Sequence, residues 1–138
     1  MYDRAHLTIL GLCAGAGWGA LAYLLGAAAF GPAVWPGVLT SPLIGALVAR
    51  LTHPGFSRAA GLGRAFWPLA SLYGGGILFS MPVAIGELVR RVGSGASPVA
   101  IATEPLLAVL WGITFTGLIL ILWPLAYLTH WVFEWRVH

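Results

Sequence analysis

Three stretches of the chain, residues 7–49, 65–86 and 105–133, contain no charged side chain. A helix needs about 20 mainly apolar residues to cross the hydrocarbon core of a bilayer. The first stretch is long enough for two crossings and each of the others for one. The pattern predicts an all-α integral membrane protein with four transmembrane helices, at about 6–30, 36–50, 65–89 and 105–131. They form a single domain over 1–138.

Proline and glycine set the expected boundaries. Pro32 and Pro36 lie in the turn 31–37, where each lacks an N–H and disfavours helix in the residue before it. The second helix is expected to be short and interrupted by Pro42, either spanning or re-entrant. The segment 50–64 holds Arg50, His53, Arg58 and Arg64 among Pro54, Gly55, Gly61 and Gly63, and reads as a basic loop on a membrane face. In the third helix, Gly74 to Gly76 and Pro82 predict local bending. Glu87 and Arg91 stand four apart near its end, within pairing distance on one face. Pro124 is expected to kink the fourth helix, and Trp123, Trp131 and Trp135 gather at its end like an interfacial aromatic belt.

Composition agrees with the tracts. Hydrophobic residues make up 59% of the chain and charged ones 8%, whereas soluble domains average about 25% charged. Of the seven basic residues, all arginine, Arg4, Arg50, Arg58, Arg64 and Arg136 fall on one side of the expected bundle and Arg90 and Arg91 on the other. By the positive-inside rule both termini and the central loop face the cytoplasm, in a bacterial inner membrane. The pI near 9.6 does not indicate nucleic acid, because the arginines form no stripe and sit where they meet lipid headgroups. Arg4 ahead of an apolar run reads as a retained signal-anchor. Cys13 is the single cysteine, so no disulfide forms within the chain.

Apolar burial does not drive helices together in lipid, so small residues that let backbones approach become the candidate contacts. Gly11, Gly15 and Gly19 are spaced four apart on the first helix, as are Gly37, Ser41, Gly45 and Ala49 on the second. The helix-packing candidates are therefore Gly11, Gly15, Gly19, Ser41 and Gly45, a hairpin of two smooth faces.

The chemistry-bearing residues are few. Metalloprotease, hydrolase and phosphate-loop motifs are missing, so no enzymatic activity is expected. His6, His53, His130 and His138 are far apart in sequence and fall at predicted membrane edges, where a lone histidine is commonly a solvated interfacial residue. One of them has a more particular setting. Ala126, Tyr127, Leu128, Thr129 and His130 read AxxxH at the end of an apolar helix, followed by Trp131, Trp135 and Arg136. This stretch, Ala126 to Arg136, resembles the pigment-ligating segment of bacterial light-harvesting polypeptides. The resemblance implies that His130 is an axial ligand to a tetrapyrrole, bacteriochlorophyll or haem, with Ala126 leaving room for the ring. The expected function is a non-catalytic accessory subunit of a larger, energy-transducing membrane complex, photosynthetic or respiratory, in contact with lipids and other membrane subunits. A tetrapyrrole-binding subunit is the alternative, and a small channel or transporter the third reading.

Overall fold

The computed structural model describes residues 3–103, 106, 107, 110 and 119–137. All regular structure among them is helical. Helix α1 spans Arg4–Phe30, a 3-10 turn follows at Gly31–Val34, and α2 runs Trp35–Arg58. Helix α3 is Leu62–Gly93; residues 98–103 are also helical; a 3-10 turn at Ile119–Leu122 leads into α4, Trp123–Val137. Two helical stretches, Arg4–Gly26 and Leu62–Gly93, are long and apolar enough to cross a membrane. Of the fourth expected span, 105–131, residues 105, 108, 109 and 111–118 lie outside the described residues.

The second helix differs from expectation. It is neither short nor interrupted: its 24 residues continue through Pro42 and Pro54, about 36 Å at 1.5 Å per residue. The expected basic loop at 50–64 shrinks to the link between Arg58 and Leu62, where Gly61 takes a positive φ of 55°. Two local devices keep α2 whole. Pro36 lies in the first turn, where the missing N–H has no intrahelical acceptor. Pro42 leaves the Val38 carbonyl without its usual donor, and the Ser41 hydroxyl donates to that carbonyl at 2.7 Å, as serine does for proline within membrane helices. Helix α3 likewise passes unbroken through Gly74 to Gly76 and through Pro68 and Pro82.

Helices α1 and α2 form an antiparallel hairpin along the glycine ridges. A Cβ added to Gly11 would stand 2.7 Å from Ala46 Cα, and one added to Gly15 would stand 2.9 Å from Gly45 Cα. One added to Gly19 would run into the Ser41 side chain. The hairpin α2–α3 is also antiparallel. Near its turn the Trp67 indole lies on Gly55, and at its far end Gly37 meets Phe79 and Val83 while Pro36 meets Gly86. Helix α4 lies at the end where α1 starts, α2 finishes and α3 begins. There Phe133 packs with Leu7 and Ala49, Trp123 Nε1 donates to the Ala65 carbonyl at 3.1 Å, and Arg64 pairs with Glu134. At the opposite end of α3, Glu87 accepts from both Arg90 Nε and Arg91 Nε at 2.9 Å.

The polarity of α2 is inverted relative to that of a helix on a water-soluble bundle. Buried positions of α2 are Gly37, Ser41, Ala46, Ala49, Thr52, His53 and Phe56. Its outward stripe is Leu39, Leu43, Leu47 and Leu51, each between 47% and 72% exposed.

Candidate functional site

Extending the four-residue step of the α2 ridge beyond Ala49 lands on His53, one turn before Phe56. Both are fully buried. From α4, one turn beyond the equally buried Ala126, His130 enters the same space with 3% of its surface exposed. The expectation that the histidines lie solvated at membrane edges is therefore overturned for these two. The physical reason is the continuation of α2 through Pro54, which carries His53 off the surface and under α4. His6 is exposed, and His138 lies outside the described residues.

The two imidazoles meet edge to edge. Their Nδ1 atoms face each other at 3.5 Å, their centroids are 5.7 Å apart, and their planes differ by 3°. The difference between the two distances is close to two ring radii, which puts both nitrogens on the line joining the centroids and both rings in nearly one plane. Phe56 stacks over this pair, 4.9 Å from the His130 centroid, and Phe133 presents an edge to both rings. Outside Phe56 lies the Arg64 guanidinium, 4.6 Å from its centroid.

On its other side, His130 Nε2 is 3.1 Å from Ser71 Oγ of α3, and Ser71 donates its hydroxyl to the Pro68 carbonyl at 2.8 Å. One assignment of protons satisfies the row. With the Ser71 proton committed to Pro68, Ser71 Oγ accepts from His130 Nε2–H; His130 Nδ1 is then an acceptor, and His53 Nδ1–H points at it. Three helices are thereby tied by one line of polar atoms in otherwise apolar surroundings.

His130 and Ser71 form one end of a cavity of about 250 Å³ that is partly open at the surface of the bundle. The cavity runs along the bundle from there to Gly26, Val34 and Val83. Twelve residues separate Ser71 from Val83 on α3, a length of about 18 Å. The walls are Gly15, Gly19, Gly45, Gly75 and Gly76 with Trp18, Leu72, Phe79, Ala126 and Phe133, and among the described residues no charged one lines it. Its other hydroxyls turn back to their own helices: Ser41 to Val38, Thr52 to Val48, Ser80 to Ile77 and Thr129 to Leu125.

A tetrapyrrole on His130 fits this packing poorly. Both ring nitrogens face neighbours, Phe56 covers one face, and the cavity is smaller than the roughly 300–1,000 Å³ typical of drug-sized ligands. An axial bond would require Ser71 or His53 to give way. Among the described residues no group of three or more His, Cys, Asp or Glu comes together to hold a metal ion. Of the packing residues expected from sequence, Gly11, Gly15, Gly19, Ser41 and Gly45 are brought together between α1 and α2. His53, Ser71 and Phe56 belong to the site and were missed by the sequence reading, although the four-residue register of the ridge points to His53.

Comparison with protein-family models, with curated proteins and with solved structures finds no match.

Proposed function

We propose that this chain is a membrane-embedded, non-catalytic subunit of a larger membrane assembly, crossing the bilayer four times with both termini on the cytoplasmic side. The observation that carries the reading is the inverted polarity of α2. Its glycine, serine, threonine and histidine face inward, and a leucine stripe faces out. In water that arrangement exposes the residues that gain most from burial. In a bilayer it places leucine against lipid and reserves small and polar residues for helix contacts. Leucine and isoleucine left outward on more than one helix, including Leu24, Ile85 and Ile121, supply surface for lipid and for neighbouring subunits of a respiratory or photosynthetic type of complex.

Two measurements test this. The tagged chain should stay with membranes through alkaline washing and enter solution only with detergent; release by the wash overturns the membrane reading. In mild detergent it should migrate above the mass of one chain plus micelle and carry other membrane proteins with it. A lone monomer under the mildest conditions overturns the subunit reading. Cysteines at Ala60 and Ser94 should label from opposite sides in a Cys13→Ser background, since α3 separates them.

A further inference from the structure

We propose that this partly open cavity is a binding site for a neutral, lipid-soluble molecule of the quinone class, its ring oxygen at Ser71 and His130 and its tail along the bundle. This rests on the membrane-embedded reading, because such a molecule reaches the cavity from lipid.

Four features of the cavity select that chemistry. Among the described residues its lining has no Asp, Glu, Lys or Arg, and a buried charge without a partner is strongly disfavoured, so the occupant is neutral. Its length along α3 fits an extended chain rather than a compact body. An engineered apolar cavity of about 150 Å³ accepts benzene, so a volume of about 250 Å³ takes a ring with the first part of a tail. The walls suit a flat ring: glycine backbone from α1, α2 and α3 forms smooth surfaces, and Trp18, Phe79 and Phe133 offer aromatic contacts. The polarity is confined to one end. Every lining hydroxyl, Ser71 included, donates to a carbonyl of its own helix, and Ser71 Oγ also pairs across helices with His130 Nε2. A carbonyl or hydroxyl oxygen at that end takes a hydrogen bond from the Ser71 hydroxyl as it turns from Pro68, or gives one to Ser71 Oγ.

The test uses the full chain purified in detergent, titrated with a decyl-substituted benzoquinone and, separately, with bromododecane. Both probes quench tryptophan, and Trp18 in the wall reports occupancy. Quenching by the quinone should saturate, and Ser71→Ala should raise its half-saturating concentration about tenfold, the loss of one hydrogen bond, with bromododecane quenching unchanged. Gly75→Leu, placed on the cavity-lining stripe where an added Cβ meets nothing within 4 Å, should abolish saturable quenching by both probes while leaving helix content and elution volume as they were. Equal quenching by the two probes, indifferent to Ser71→Ala, identifies a lipid-tail slot only and overturns the proposal, as does retained quinone saturation in Gly75→Leu. A chain that needs no detergent sinks the membrane reading and the site together. One that needs detergent but lacks Ser71-dependent quenching sinks the site alone.

Discussion

Replacing Gly15 by alanine tests the contact on which the α1–α2 hairpin depends, and Gly17 supplies its control on the same helix. The new Cβ at position 15 would run into the Ser41 carbonyl oxygen and lie 2.9 Å from Gly45 Cα and 3.0 Å from Pro42 Cα. Non-bonded carbons settle at about 3.5–4.0 Å, so the helices must separate by about 0.5–1 Å. The obstacle is backbone on a continuous helix, which cannot swing aside as a side chain does. The separation also loosens the contacts of Gly11 with Ala46 and of Gly19 with Ser41. Overpacking of this kind costs about 1–3 kcal/mol. At Gly17 an added Cβ meets nothing within 4 Å. Both substitutions change intrinsic helix propensity by the same amount, about 0.8–1.0 kcal/mol in favour of alanine, and the difference between them cancels it. Gly15→Ala should therefore be less stable than Gly17→Ala by about 1–3 kcal/mol, roughly 5- to 150-fold in the folded-to-unfolded ratio. Unfolding by sodium dodecyl sulfate in mixed micelles, followed by tryptophan fluorescence, measures it. Equal midpoints for the two variants would refute close backbone packing at this ridge.

Three further outcomes follow from the same geometry. His53→Ala and His130→Ala should each destabilise by about 1–3 kcal/mol by stripping a buried polar partner, and the double variant should depart from additivity by at least about 0.5 kcal/mol; additive losses would mean the rings do not interact. Ser41→Ala should cost about 0.5–1.5 kcal/mol by leaving the Val38 carbonyl without a donor, and Ser41→Ala with Pro42→Ala should recover it, because residue 42 then supplies an N–H; no recovery would show that the serine acts through packing on Gly19 instead. Gly75→Leu should raise the unfolding midpoint of the purified, ligand-free protein, and a lowered midpoint would mean that the side chain finds no space there.

How far the sequence specifies this structure depends on which signal each element carries. Helices α1 and α3 are centred on charge-free tracts and overrun them at the ends, so their existence, though not their limits, follows from composition. Proline rules misplace the end of α2, because they describe the backbone of an isolated chain. Pro36 falls in a first turn, Ser41 compensates Pro42, and packing of His53 and Phe56 beneath α4 holds the last turns through Pro54. Tertiary contacts of that kind leave no local mark. The ridge of Gly37, Ser41, Gly45 and Ala49 was legible because small residues at a fixed step have few other uses at helix interfaces. Its next member, His53, was not recognised because its neighbours Pro54 and Gly55 suggested a loop. Gly55 is instead the seat of the Trp67 indole. His130 was singled out for its AxxxH spacing, and Ala126 is buried one turn away as that spacing implies, but its neighbours come from α2 and α3, which no spacing within α4 could name.

The same close packing that joins α1 to α2 accounts for the empty volume beside them. Small residues on facing helices allow backbones to touch along one line, and they leave few side chains to fill the space between that line and the third helix. Gly75 and Gly76 of α3 stand at that place. Unfilled apolar space withholds dispersion contacts from the side chains that line it, a cost that grows with the volume left empty. Water cannot remove that cost, because a buried water needs two to four polar partners and most of the lining hydroxyls are already committed to carbonyls of their own helices. An apolar occupant does remove it, by restoring the dispersion contacts the lining lacks, and one oxygen on that occupant finds its place at the single end where Ser71 and His130 meet. The void and the polar line are thus two parts of one arrangement: α2 must run on through Pro54 for His53 to fix His130, and α3 must lack side chains at 75 and 76 for anything to reach it.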